Sequence, residues 1–381
     1  APPIVSVSGF HRTRVNQMIT LTRKRALAMR MSALLLDGQP HRDVAEVVGH
    51  LTAMQGQDFN AAKWAIATRT SGESLLAKRT AIERAFNDGQ IVRSWPLRST
   101  VHVIASQDLG WVQRATNTRF LKMIDQWLER GDFQGLDSQA FDRLQAATIE
   151  ALQGGRQLTR REIFRLWESE GVAPKTGGGY EFVWALCQRG VTVLGPLGEN
   201  GDPDLVLADE WIQSPRVLVG DEALHELAQR YFAGHGPATD YDLSWWSGLP
   251  VTVVRKAIGG AVAKGTLCEC DVDGQTMWAT PIQLDAPAST GPLHVLAAFD
   301  EHLLGYKDRT LSLDVAHARK AMTVNGIAQP TVVKAGRVVA VWKMRDGSMS
   351  TLNGERINQR DLRAAQEQIE TARHWLRREA R

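Results

Sequence analysis

One pattern limits the fold of this chain more than any other: helices followed by a two-stranded hairpin, returning three times. In the first unit, apolar periodicity predicts helices over 19–36, 40–54, 61–68 and 74–87. The first is stopped by Asp37-Gly38, and Pro40 opens the second at the N1 position that proline favours. Asp58 or Asn60 can cap the third, and Asn87-Asp88-Gly89 stops the fourth. Residues 91–104 then read as two short strands joined around Trp95-Pro96-Leu97-Arg98. The second unit has a helix over 138–152, a capping box at Thr159–Glu162, a helix over 181–189 and strands over 191–194 and 204–208. The third has a helix over 222–232, a capping box at Thr239–Asp242 and a tight turn at Ser247-Gly248-Leu249-Pro250. A helix over 251–263 follows, then a hairpin folded at Asp273-Gly274. Helices followed by a hairpin make a winged-helix module. The expected class is therefore mainly α with β-hairpins (α+β): three tandem winged-helix modules plus a C-terminal α+β segment.

The segments expected on this basis are a tail at 1–18, modules at 19–135, 136–218 and 219–290, and a strand-rich remainder at 291–381. That remainder should hold a strand over 293–299, a hairpin over 331–343 turning at Lys334-Ala335-Gly336-Arg337, and a charged closing helix over 359–378 packed on the outside. A chain of 381 residues has room for two to four such cores. With 43% hydrophobic and 23% charged residues it has the composition of a soluble globular protein. No apolar run approaches a membrane span, and the N-terminus lacks a signal-peptide core. Three cysteines, Cys187, Cys268 and Cys270, suit a reducing cytoplasm and no disulfide framework. Cys268 and Cys270 read as two thiols on one strand face, because no second pair stands at zinc spacing.

Charge is distributed unevenly. Residues 1–104 carry 14 basic against 7 acidic side chains, residues 105–301 carry 16 against 27, and residues 302–381 carry 15 against 8. Basic ends around an acidic middle suit a polyanion held by the terminal parts, although charges spread over solvated helix faces give the same count.

Within the first unit, Met54-Gln55-Gly56-Gln57-Asp58 interrupts two helical runs. On a helix Gln55 and Gln57 would be split by about 200°, but on an extended or kinked backbone they face one side. Gly56 makes such a bend inexpensive, so the stretch can present two neutral amides together.

This stretch, with Ala61-Ala62-Lys63-Trp64-Ala65 after it, resembles the winged-helix DNA glycosylases of the AlkZ type. The likeness extends to Arg93-Ser94-Trp95-Pro96-Leu97-Arg98-Ser99-Thr100-Val101-His102 and to Ala298-Phe299-Asp300-Glu301-His302-Leu303-Leu304-Gly305-Tyr306, and so spans residues 20–345. The family signature is Gln, an apolar residue, then Gln; Gly56 departs from it and leaves the amide pair intact. The resemblance implies a monofunctional DNA glycosylase acting on double-stranded DNA that contains alkylated purines, including crosslinks or bulky adducts. It places the catalytic pair at Gln55 and Gln57. The implied protein is a cytoplasmic, nucleoid-associated monomer with no cofactor or metal.

The chemistry agrees with this. A purine alkylated at N7 or N3 is already cationic and leaves without being protonated. The enzyme need only stabilise an oxocarbenium-like sugar and aim a water at C1′, which amide oxygens can do. Excision of a neutral base would require a nearby acid or a stronger base. Asp58 could serve as that base but reads better as a helix cap.

DNA-contacting candidates are Arg93, Trp95, Arg98, Thr100 and His102 on the first hairpin and Lys334 and Arg337 on the last. The competing reading buries Trp95 in a core and pairs Arg98 with a carboxylate. Trp64 lines a lesion pocket or fills the first core, and Trp245-Trp246 reads as core. Asp300 and Glu301 are expected to brace Arg93 or Arg98. No His-Glu-x-x-His or Gly-x-Ser-x-Gly is present, and the Gly177-Gly178-Gly179 loop lacks the Gly-Lys-Ser/Thr of a phosphate cradle. The alternative of another class is a non-enzymatic winged-helix DNA-binding regulator.

Overall fold

Helix starts are written locally in this chain, and the side chains that cap them are in place. The computed structural model describes residues 18–38, 43–172, 179–286, 291–323, 326–352 and 357–377. Thr159 and Thr239 each accept the N3 amide while Glu162 and Asp242 reach back, opening the Arg160–Ser169 and Asp240–Ser247 helices. Asp58 caps Phe59–Ala67 through the Ala61 amide at 3.0 Å, and Ser74 caps Leu75–Asn87. The Ser138–Leu152 and Val251–Ala263 helices lie where periodicity places them.

The strands form three sheets. In the five-stranded antiparallel sheet the order is Ala53–Gln55, Thr100–Ala105, Ile91–Leu97, Thr192–Leu197, Pro203–Leu207. It runs from the first repeated unit into the second, joined at Arg93 opposite Leu194. The second sheet sets Ile19–Leu21 parallel to Cys268–Val272, which pairs antiparallel with Gln275–Ala279. The third carries Met349–Thr351, Arg337–Trp342, Thr331–Lys334 and His294–Leu296 in that order. The largest core, with Phe86, Trp111, Tyr231, Trp246 and Trp342, is shared by the first unit, the third unit and the C-terminal segment. A second core, with Trp95, Phe141, Trp167 and Phe182, belongs mainly to the second unit. The outcome is a mixed helix-and-sheet fold built from small sheets.

Several elements differ from expectation. Residues 19–21 are a strand, and the first helix begins at Arg23 because Thr22 accepts the Arg25 amide. The expected start at Pro40 lies outside the described residues, as do tail residues 1–17 and Gly177-Gly178; Gly179 opens the Gly179–Gln188 helix. The second helix covers Val44–Leu51 and is broken by Thr52 in a left-handed conformation (φ 67°), which releases Ala53–Gln55 as an edge strand. The first hairpin turns at Arg98-Ser99, both with positive φ, while Trp95 and Pro96 sit in the strand at a bulge. Helices Ser106–Thr116 and Thr118–Glu129 were not anticipated. The closing Gln359–Arg377 helix buries Ala365, Ile369, Ala372 and Trp375, and Trp375 meets Trp64 edge-on with ring centroids 5.8 Å apart. It completes the main core; it does not lie outside it.

Candidate active site

Gln55 ends the edge strand and pairs across the sheet with His102, which in turn stands opposite Ser94. Directly paired residues of an antiparallel sheet project from the same face, so His102 flanks Gln55. The chain then bends away at Gly56, whose amide donates to the Val101 carbonyl at 2.8 Å. A Cβ at Gly56 would lie 3.2 Å from the His102 carbonyl carbon and 3.3 Å from Val103 N, so the loop lies directly against sheet backbone. Gln57 is exposed and Gln55 half-buried. The Gln55 carbonyl oxygen Oε1 accepts the Gln57 backbone amide, which orients the Gln55 side chain from within the bend.

Beneath this bend lies Glu301, fully buried. Its Oε1 accepts the Gln55 backbone N–H at 3.1 Å; its Oε2 faces His235 Nε2 and Trp246 Nε1, each at 3.3 Å. Burial pushes the Glu301 carboxyl up, but the His235 hydrogen bond and the charges around it outweigh burial and hold it below the usual range. His235 stacks on Tyr231 at 4.7 Å, and Tyr306 Oη donates to the His235 carbonyl at 2.8 Å. Asp300, next in sequence, caps the Glu301–Leu304 helix and binds the buried Arg69 guanidinium through both oxygens at 2.8 and 2.9 Å. Sequence reasoning foresaw a bracing role for these two carboxylates toward Arg93 or Arg98; the Glu301 charge favours Arg98, while the hydrogen bonds go elsewhere. Asp300 braces Arg69, and Glu301 braces Gln55.

The other expected site residues divide into three groups. Arg93 donates to the Gly56 carbonyl at 2.9 Å and lies 5.3 Å over the Phe59 ring, so it supports the glutamine bend from within the protein. Burial lowers the Arg93 guanidinium from its ordinary value. His102 is buried, with Nδ1 on the Thr100 carbonyl at 2.8 Å. Burial, then the Arg98 charge, drives it down to about 4, so it is neutral at pH 7. Thr100 Oγ1 donates to the Leu97 carbonyl at 3.2 Å. Trp95 is 3% exposed and meets Tyr180 edge-on in the second core, leaving it no free face.

Arg98 is different. Its guanidinium lies 4.2 Å from the Trp245 ring centroid, where Arg309 also sits at 5.0 Å. Trp246 is core, as the sequence suggested, but Trp245 is only partly buried and faces these cations. At the far hairpin, Lys334 pairs with Asp361, and the turn is seated on Leu27, with the Gly336 carbonyl receiving His302 Nε2 at 3.1 Å. Lys334 and Arg337 are half-buried. Trp64 is core: its Nε1 donates to the Val295 carbonyl at 3.2 Å.

A cleft of about 850 Å³ bordered by Glu46, Asp88, Ser106 and Asp108 lies away from both glutamines. Its acidic rim has the wrong sign for a phosphate backbone. Among the described residues no group of three His, Cys, Asp or Glu side chains is placed to hold a metal ion, and no helix is long and apolar enough to cross a membrane. His235 and Trp245 are residues that sequence reasoning did not place at the site, and it placed Glu301 only as a brace for Arg93 or Arg98. Only the Asp300-Glu301-His302 run carried any signal for them.

The chain is similar in sequence and fold to known proteins. The profile of the family described as "DNA glycosylase AlkZ-like" matches residues 48–378. The chain is similar to the interstrand DNA cross-link repair glycosylase of Streptomyces sahachiroi, 26% identical over 344 residues that cover 85% of this chain and 88% of that protein. Its fold is similar to the solved structure of Streptomyces sahachiroi DNA glycosylase AlkZ, with a TM-score of 0.76 and 23% identity over 93% of this chain and 98% of that one.

Proposed function

The chain belongs to the AlkZ-like DNA glycosylase family, and from that premise we propose that it hydrolyses the N-glycosidic bond of cationic N7- or N3-alkylated purines in duplex DNA. Gln55 and Gln57 orient the attacking water. Family membership makes it a DNA glycosylase and sets aside the non-enzymatic regulator; the lesion class and the residue roles are the reading advanced here.

The observation that carries this reading is that both carboxylates nearest the glutamines are already engaged. Asp58 caps the Ala61 amide, and Glu301 is surrounded by the N–H groups of Gln55, His235 and Trp246. What remains to face a substrate is a pair of neutral amides, with the neutral His102 imidazole buried behind Gln55. Such a set can accept hydrogen bonds from water and face a developing sugar cation, but it cannot protonate a neutral base as it leaves. A purine made cationic by alkylation needs no such proton. The chemistry therefore selects charged lesions, and it requires neither metal nor cofactor.

The glutamine bend is an open ledge: Gln57 is exposed. Such a ledge accommodates bulky N7 adducts and crosslinks; the Streptomyces sahachiroi relative is named for the repair of interstrand DNA cross-links. Arg98 is the DNA contact of the first hairpin, and a monomer suffices because every residue invoked comes from one chain.

The test is base release from a duplex carrying one N7-methylguanine, by wild type and by Gln55→Ala and Gln57→Ala. Release by wild type, lost in either variant with duplex affinity kept, is the expected result. Equal release by all three proteins would remove the glutamines from the mechanism. Release of unmodified guanine at a similar rate would overturn the selectivity.

A further inference from the structure

Three arginines converge at the turn of the first hairpin, and none forms an ion pair among the described residues. Arg98 and Arg309 share the Trp245 ring. A Cβ placed on Gly248 would lie 2.9 Å from both Arg98 Cγ and Arg119 Nη2, so Arg119 reaches the same point from the other side. The carboxylates that favour them act from beyond ion-pair distance: Glu301 on Arg98, and Asp242 and Asp308 on Arg309. Arg98 has its Nε buried without a hydrogen-bond partner among the described residues, an unfavourable arrangement for a charged donor. Arg119 stands in the first turn of the Thr118–Glu129 helix, the end where a cation is disfavoured, and no side chain caps that end. Burial lowers both Arg98 and Arg309 from their ordinary values, and the Arg309 charge adds to this at Arg98.

Like-charged groups that desolvate one another are stable when an anion sits between them. Trp245 fixes the planes of two guanidiniums, a geometry suited to forked recognition of phosphate oxygens. Gly248, in a left-handed conformation (φ 76°), keeps the space between Arg98 and Arg119 clear, because any side chain there would strike both.

We propose that Arg98, Arg119 and Arg309, backed by Trp245, form a clamp for one phosphodiester of the lesion-bearing duplex. The clamp sets the register of the strand against Gln55. This deepens the glycosylase reading above and rests on it. Arg98, in the turn, lies four residues from His102, the cross-strand partner of Gln55, a span of at most about 13 Å, the extended limit. The clamped phosphate therefore lies within about four phosphates of the lesion, at roughly 3.4 Å of rise each.

The experiment is a methylphosphonate scan. Single phosphates on either side of an N7-methylguanine are neutralised one at a time, and duplex affinity is measured for wild type, Arg119→Gln, Arg309→Gln and Arg98→Lys. Arg119 is exposed, so at least its variant should fold normally, which circular dichroism checks. For wild type, neutralising one particular phosphate is expected to weaken binding about tenfold. For each variant binding is already weaker and that same substitution has less further effect; the salt slope falls by about one for Arg119→Gln and Arg309→Gln, whereas Arg98→Lys keeps the charge, loses the fork and keeps its slope. Variants that keep wild-type affinity, salt slope and scan would overturn the clamp. The two readings fail separately. If the scan behaves as expected but no alkylated base is released, the clamp stands and the glycosylase reading falls. Release with an unchanged scan gives the reverse.

Discussion

The backbone amide of Gln55 donates to the buried carboxylate of Glu301 at 3.1 Å, joining two points 246 residues apart in sequence. The bond secures the last residue of a three-residue edge strand, which has few other constraints. It also places a fixed negative charge under the proposed water-positioning amide. A carboxylate held by three N–H donors cannot act as a base, so its contribution is position and field.

Glu301→Gln separates those two contributions. The amide oxygen can still accept the Gln55 N–H, but the charge is lost and the NH2 that replaces Oε2 is a donor turned toward His235 and Trp246. Base release from an N7-methylguanine duplex should fall about tenfold or more, in line with the ~1.4 kcal/mol that separates charge-assisted from neutral hydrogen bonds. Duplex affinity should stay within a factor of two. Single-turnover kinetics with a parallel binding titration makes the measurement. A variant with full turnover would show that Glu301 serves the fold alone.

Gly56 gives the second expectation. In the family signature this position is apolar, yet here a Cβ would come within 3.2–3.3 Å of His102 and Val103 backbone atoms, which a sheet holds in place. Gly56→Ala should therefore shift the bend rather than the sheet. Base release should drop more than tenfold, while overpacking costs about 1–3 kcal/mol of stability. Urea unfolding and base release measured on the same preparation test both parts, and an alanine variant with wild-type turnover would show that the loop yields freely.

The pH dependence of folding follows from His102 and His302. Burial, the largest cause in each, drives both imidazoles down to about 4, whereas an unfolded histidine titrates near 6.5. Between those values the unfolded chain binds protons that the native chain refuses. Stability therefore falls as pH drops below about 6.5, by ~1.4 kcal/mol per pH unit for each histidine. Asp300 and Glu301 act with the same sign lower down. Their folded values lie below the ordinary carboxylate range, so their stabilisation is present above the unfolded value and lost as pH falls through the folded one. Urea midpoints at pH 7.5, 6.0 and 5.0 should decline steadily. His302→Gln, which can keep a donor toward the Gly336 carbonyl, should flatten the decline by about half. A midpoint constant down to pH 5 would contradict this account.

What the sequence made legible was the local chemistry. Capping boxes at Thr159–Glu162 and Thr239–Asp242 and the Asp273-Gly274 turn depend on neighbours a few residues away, and each formed as expected. The glutamine bend was legible as a bend because Gly56 interrupts two helical patterns. Its support was not, since Glu301, His235 and Arg93 reach it from distant segments. The Arg98-Ser99 turn was hidden for another reason: two non-glycine residues with positive φ carry no turn signal. The closing helix looked polar throughout. Yet Ala365, Ile369, Ala372 and Trp375 lie on one stripe at helical spacing, and that stripe is what docks it onto Trp64.

The last prediction concerns the pair that anchors Glu301 in place. Arg69 and Asp300 are both buried, joined by two parallel bonds at 2.8 and 2.9 Å, and the Arg69 side chain also donates to the Leu34 and Ala65 carbonyls at 2.7 and 2.9 Å. Asp300→Ala removes one partner, strands a buried guanidinium, and takes the cap from the helix that begins with Glu301. The expected loss is about 3–5 kcal/mol, with a further ~1 kcal/mol from the cap. Arg69→Lys keeps the charge but cannot reproduce the fork, so it should recover only part of that loss. Because Asp300 and Glu301 are adjacent, loosening the cap also loosens the carboxylate under Gln55, and base release should fall even where the protein remains folded. Denaturation of Asp300→Ala, Asp300→Asn and Arg69→Lys ranks the three contributions. Asp300→Asn, which preserves the cap, should lie between the other two; if it matched wild type, the charge would have no part in anchoring this corner.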